Sequence, residues 1–160
     1  LRIIALDDVS FRSATQADSE QVAAIYLASR KASLSYAPLA HSDDAIRRWI
    51  VDQLIPSGGV TVVVPDGPLA KPLGMMALST AENVGWIDQL YLRRSAVGKG
   101  LGARFVESAK AKLGSPIRLY TFQANNGARR FYEGHGFRVL EFGDGSGNEE
   151  GCPDVLYEWT

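Results

Sequence analysis

One cysteine, Cys152, stands in 160 residues, so no disulfide can form within the chain, and a reducing, cytoplasmic location is the expectation. Histidine is almost as scarce. His41 and His135 are the only two, neither belongs to a metal-ligand pattern, and solvated side chains with no metal are expected. No run of Lys and Arg exceeds two residues and the net charge is −1, which excludes a broad basic face for nucleic acid. Apolar runs approaching the roughly 20 residues of a spanning helix are missing, as is a charged segment leading into an apolar one. A soluble chain with no membrane association and no secretory leader follows. The chain opens on Leu1 rather than Met, as expected of a trimmed start. What is present, 46% hydrophobic and 22% charged residues, is ordinary globular composition in the size range of one domain spanning 1–160.

Residues 11–14 read as a strand, and Thr15 or Asp18 can cap a helix whose apolar positions Val22, Ile25, Tyr26 and Leu27 recur near helical spacing. The stretch 35–42, with Pro38, breaks that helix. Asp43 and Asp44 favour a second one running through Ile46, Trp49, Ile50 and Leu54. A β-branched run at 60–64, a turn at Pro65-Asp66-Gly67-Pro68 and a returning run at 73–78 predict an antiparallel hairpin. A strand at 86–92, a glycine loop, a helix over 101–113 and a strand at 117–122 follow. A short helix over 127–134 then leads to strands near 137–142 and 155–159, separated by the glycine-rich acidic segment 143–154, a flexible loop that carries Cys152. Trp49, Trp86 and Trp159 are expected to anchor the core. Hairpins plus one strand-helix-strand crossover predict an α+β fold with a mixed sheet.

Gly98, Gly100 and Gly102 lie between a strand and a helix, where backbone N–H groups can approach an anion without a Cβ in the way. Lys99, with Arg93 and Arg94 just before, adds positive charge. By itself the loop fits a tight turn at a helix start equally well. It also fits the permissive dinucleotide fingerprint as Gly98-x-Gly100-x-x-Ala103, although no Asp or Glu for a ribose occurs in 117–123. A Walker loop is excluded by Arg93 and Gly100, which stand where Gly and Ser or Thr are required.

A second pattern accompanies the loop: Asn125, Ala128, Arg129, Phe131, Tyr132, Glu133, Gly136 and Phe137. Together, Val97-Gly98-Lys99-Gly100-Leu101-Gly102 and this segment resemble the GCN5-related N-acetyltransferase (GNAT) superfamily, over about 87–137. Val97 stands where the family usually has Gln or Arg. The resemblance implies an acyl-CoA N-acyltransferase fold, a mostly antiparallel sheet of about seven strands flanked by about four helices, and acetyl-CoA as co-substrate. It implies further that Val97, Gly98, Lys99, Gly100, Leu101, Gly102 and Ala103 cradle the pyrophosphate. Backbone groups of Leu90, Tyr91 and Leu92 would pair with the pantetheine arm as a pseudo-strand, and Asn125, Ala128, Arg129 and Tyr132 would complete the cofactor site.

Thioester aminolysis needs a neutral amine, a polarised carbonyl and a proton for the thiolate. Asp88, two residues before Leu90, is the candidate base; a strand-end Asp pairing with Arg or capping backbone is the structural alternative. Tyr132 occupies the position of the family tyrosine that protonates the CoA sulfur, although a helix aromatic packing beside Phe131 would look the same. Asn125 could cap its helix as well as reach the cofactor. The acceptor side would lie in 29–54, where Tyr36 and His41 join Asp88 as candidate substrate contacts, and acidic residues at 149, 150 and 154 could draw a cationic amine. The expected activity is transfer of acetyl to a primary amine of a small molecule or peptide, with a homodimer left open. A CoA-binding sensor without acceptor chemistry is the alternative.

Overall fold

The computed structural model of the chain describes residues 8–32 and 36–160. The predicted break at 35–42 begins outside these residues; its described part is irregular up to Ser42. Among the described residues the order is β1 (Val9–Ser13), α1 (Ser19–Lys31), α2 (Asp43–Trp49), β2 (Val60–Pro65), β3 (Gly74–Ala81), β4 (Val84–Leu92), α3 (Leu101–Leu113), β5 (Ile117–Phe122), α4 (Asn126–Gly134), β6 (Arg138–Gly143) and β7 (Asp154–Trp159).

Local chemistry explains the boundaries. Ahead of α1, Thr15 and Asp18 form a reciprocal capping box in a short 3-10 turn, with the Thr15 N–H donating to Asp18 Oδ2 at 2.8 Å. The Ser42 hydroxyl accepts from the Ala45 N–H at 3.1 Å and starts α2. The helical run continues through Leu54 as its apolar spacing predicts, but not as regular α-helix. It passes instead into a wider π-helical turn at Ile50–Leu54 and a 3-10 turn at Ile55–Ser57 that carries Pro56, then stops at left-handed Gly58.

The seven strands form one sheet in the order β1-β2-β3-β4-β5-β7-β6. Every neighbouring pair is antiparallel except β4 and β5, which α3 connects as a crossover. Strand alternation sends successive side chains to opposite faces, and both faces are covered. Met76, Phe105, Val106, Leu119 and Tyr157 share a cluster on the α3 face, while Met75, Val62, Val22, Ile25 and Ile50 share one on the α1–α2 face. Adjacent Met75 and Met76 are thus both fully buried, one on each side, each contributing about 1.5–3 kcal/mol. This double burial is why β2 and β3 read as continuous apolar runs rather than alternating ones.

Two side-chain expectations are corrected. The three tryptophans are half-buried: Trp49, beside Tyr26, and Trp159, under Lys110 Nζ, pack against the two core clusters as expected, whereas Trp86 is no core anchor and stacks on Tyr120. Cys152, expected in a flexible loop, is 5% exposed. Asn148 clamps its backbone on both sides, accepting from the Cys152 N–H and donating to its carbonyl at 2.7 Å.

Candidate active site

β4 and β5 pair only at Gly85↔Ile117 and Trp86↔Arg118 and then part, although β4 continues to Leu92 and β5 to Phe122. On its other side β4 stays bonded to β3, but with an interruption: Ala77 faces Gln89 and Leu78 faces Ile87, so Asp88 is an extra residue, a β-bulge. Arg93 N–H donates to Leu73 O on the β3 side at 2.7 Å. Backbone alternation back from that bond turns the groups of Tyr91 and Gln89 toward β3 and those of Leu90 and Leu92 toward the gap. Of the three predicted pseudo-strand residues, Leu90 and Leu92 therefore present free backbone edges, whereas the Tyr91 backbone is committed to the sheet. Tyr91 contributes its side chain instead.

The gap opens into a cleft of about 820 Å³. Asp88, Leu90, Tyr91, Asn125, Ala128 and Tyr132 all line it. The glycine loop does not; it lies beyond Leu92 on the open surface, with Gly98 and Lys99 exposed and Val97 61% exposed. Gly98 and Gly100 have φ of 80° and 82°, the left-handed region, and Gly100 is the N-cap of α3. The N–H groups of the first turn, at Leu101, Gly102 and Ala103, point out of the helix end with no partner in the turn below. Gly102 also governs packing, because a Cβ there would meet the Phe131 ring at 3.2 Å, so the missing side chain lets α3 and α4 close against each other. The two sequence motifs are in contact at this point. Arg93 departs from expectation, because its guanidinium donates to Pro72 O at 2.7 Å and to the Gln21 side chain, away from the loop. Arg129 likewise donates to the Tyr157 hydroxyl at 3.1 Å, which donates on to Glu133 at 2.8 Å, bracing α4 against β7. Asn125 caps α4, accepting from the Ala128 N–H at 3.1 Å.

Burial sets the electrostatics of the cleft. Asp88 sits at its edge, its surface accessible yet recessed among protein atoms. Desolvation pushes its carboxyl above the usual range, partly offset by a hydrogen bond to Ser79. Tyr132 is 8% exposed, packed against Phe131 and Phe137. Desolvation, with a smaller push from Tyr91, drives its phenol well above 10, so it is protonated at any working pH. Tyr91 is raised for the same first reason, with Tyr26 beside it and the Arg30 charge opposing the rise. Among the described residues Arg30 is the only basic one of the lining, facing carboxylates at Asp88, Glu141, Asp144, Glu150 and Asp154. Tyr36 and His41 lie off the lining: Tyr36 packs edge-on to Phe122, and the His41 ring pairs with Glu149 at 2.8 Å on the surface. His41 is thus exposed but partnered rather than simply solvated. Sequence reasoning misses Arg30. The signal available is its spacing, since Val22, Tyr26 and Arg30 fall on one face of α1 and an Arg on a buried face needs a partner.

Two strands splayed by a bulge and an anion-ready helix start on the same side describe a groove for an extended ligand with a phosphate end. Comparison with known proteins gives it a family. The sequence model of the Acetyltransferase (GNAT) family matches residues 21–137, well over half of the chain. The chain belongs to the GNAT acetyltransferase family. Among curated proteins none matches its sequence. Solved structures share the fold at low identity. Apo YjaB from Escherichia coli superposes with TM-score 0.73 at 21% identity, covering 95% of this chain and 97% of that one. The PaiA N-acetyltransferase of Thermoplasma acidophilum, solved with coenzyme A, gives 0.71 at 20% identity, covering 95% and 98%. Arabidopsis thaliana Naa50 with a bisubstrate analogue, CoA-Ac-MVNAL, gives 0.68 at 16% identity, covering 96% and 99%. The groove of this GNAT acetyltransferase fits an acyl-CoA: free backbone edges at Leu90 and Leu92 for an amide-bearing arm, and open, left-handed glycines before α3 for phosphates.

Proposed function

We propose that this acetyltransferase moves an acetyl group directly onto a primary amine, with Asp88 as general base and Tyr132 as general acid. Acetyl-CoA supplies the thioester carbonyl and the sulfur leaving group. The backbone of Leu90 and Leu92 and the N–H groups around Gly98 to Ala103, with Lys99 close by, hold the co-substrate, and Asn125 and Ala128 border its reactive end. Asp88 Oδ takes the proton the amine gives up as nitrogen bonds to the acetyl carbon. Tyr132 Oη gives a proton to the departing sulfur. A carboxyl raised by burial is a better base than an ordinary one, and a phenol raised by burial keeps its proton until the sulfur leaves. Tyr36 and His41, off the cleft lining, enter only as outer contacts for a large acceptor. The preponderance of carboxylates over Arg30 suits an amine that arrives protonated and loses that first proton to solvent before it attacks.

The observation that carries the reading is Asp88 at the β4 bulge: the one residue without a partner across the β3–β4 ladder puts a desolvated carboxylate beside the free backbone edge. The test is thiol release from acetyl-CoA over small amines and peptides with free N-termini. Turnover with at least one acceptor is expected, reduced in kcat but not in acetyl-CoA affinity by Tyr132→Phe. Tight acetyl-CoA binding with silence across the whole panel would show a CoA-binding domain instead.

A further inference from the structure

One buried charge on the cleft lining has no part in the mechanism. Arg30, on the inner face of α1, is 8% exposed and meets two elements distant in sequence. Its Nη2 donates to Glu150 Oε1 at 3.1 Å, across a sequence separation of 120 residues. Its guanidinium carbon lies 5.1 Å from the Phe122 ring centroid on β5, a cation–π distance. Its charge also opposes the rise that burial gives the Tyr91 phenol on β4. One planar cation thus joins α1, β5 and the loop 144–153 on the cleft lining. An Arg is suited to this because its donors form a fixed fork and its face stacks.

Its charge would be a liability in any other arrangement. As the only cation of the lining among the described residues, a bare guanidinium there would repel a protonated amine, and Glu150 cancels it at close range. We propose that Arg30 is a positioning residue for the acceptor: clamped by Glu150 and Phe122, it fixes the wall against which the amine approaches Asp88. This rests on the proposed amine acetylation. It acts through Glu150 and Phe122, and donates nothing to the reacting atoms.

A brace that only held the fold would respond to any loss of the pair, whereas the positioning role has a sign. With a cationic amine from the panel, Glu150→Gln unmasks Arg30 and should raise acceptor KM on the order of tenfold or more, with kcat and acetyl-CoA affinity within about twofold. Arg30→Gln with Glu150→Gln removes both charges and should recover part of that loss. Arg30→Lys, keeping the charge but not the fork, should fall between wild type and Arg30→Gln. A double variant no better than Glu150→Gln, or acceptor KM rising together with a loss of acetyl-CoA affinity in every variant, overturns the proposal. If wild type turns over no amine, the proposed function has failed, and amide hydrogen exchange still reads the clamp: Glu150→Gln should speed exchange in 144–153, and unchanged exchange overturns it.

Discussion

The cleft and the glycine loop beyond it divide into two sides built from different kinds of interaction. On the cofactor side the elements are contiguous in sequence: β4, the glycine loop, α3, β5 and α4 run from Val84 to Gly134, and their contacts are backbone edges, helix caps and a glycine pressed on Phe131. On the side proposed for the acceptor the parts come from the ends of the chain, α1 and the loop before β7, and side chains join them: Arg30 to Glu150, Tyr26 to Tyr91, His41 to Glu149. Backbone contacts tolerate side-chain change; side-chain contacts do not. A common co-substrate site with a private acceptor wall is the expected outcome of that division.

The sharpest way to test the division is at the point where the halves meet. Asp88→Asn keeps the bulge and removes only the base, so kcat should fall on the order of 10²- to 10⁴-fold while acetyl-CoA affinity by calorimetry stays within about twofold. The wild-type rate should rise with pH through an Asp88 pKa lifted above the usual carboxylate range by desolvation, because only the ionised form accepts a proton. That acidic limb should vanish in the variant. A loss of acetyl-CoA binding equal to the loss of rate would return Asp88 to the structural side.

The cofactor half is the legible one. Bounds for α3 and β5 can be read from the sequence because glycines, apolar period and turn residues act within a few positions of themselves. The bulge at Asp88 cannot, since it exists only in the register between β3 and β4. The turn of Arg93 away from the loop is hidden for a similar reason: its partners, Gln21 and Pro72, are distant in sequence. In the acceptor half the helix α1 is legible and its buried face is not fully so, because the partner of Arg30 lies 120 residues away. Cys152 misleads for the opposite cause. Its neighbours are glycine-rich and acidic, but Asn148 orders them through bonds that composition does not record.

Two stability predictions separate framework from site. Tyr157→Phe removes the hydroxyl that links Arg129 to Glu133 at the base of α4 and should cost about 1–3 kcal/mol by urea unfolding. Catalysis in the surviving folded fraction should be close to wild type if α4 keeps its place. Asp18→Asn breaks the bidentate bond to Arg12, at 2.8 and 2.9 Å, and weakens the cap of α1. Because Arg12 is half exposed, the effect should be nearer 1 kcal/mol. The Arg12 hydrogen bond, ahead of the burial that opposes it, holds Asp18 below the ordinary carboxylate range. Its contribution is therefore present above the unfolded pKa of about 3.9 and is lost as pH falls through the lower folded value. Wild type and variant should converge in stability in strong acid, and a gap that persists there would mean the cap acts without the charge.

The smallest expected effect sharpens the acceptor half from within. His41–Glu149 and Arg30–Glu150 end on adjacent residues of one loop, but their burial differs. The side chains of His41 and Glu149 are 57% and 67% exposed, against 10% and 20% for Arg30 and Glu150. An exposed pair is weakened by water and salt and by the entropy of holding two side chains together, whereas a buried cation that loses its partner keeps the full desolvation penalty. His41→Gln should leave Tm unchanged within error and acceptor KM within about twofold for small amines, while Glu150→Gln moves KM strongly. A large KM change in His41→Gln, growing with acceptor size across a peptide series, would instead extend the acceptor wall outward from the cleft to the surface that His41 and Glu149 share.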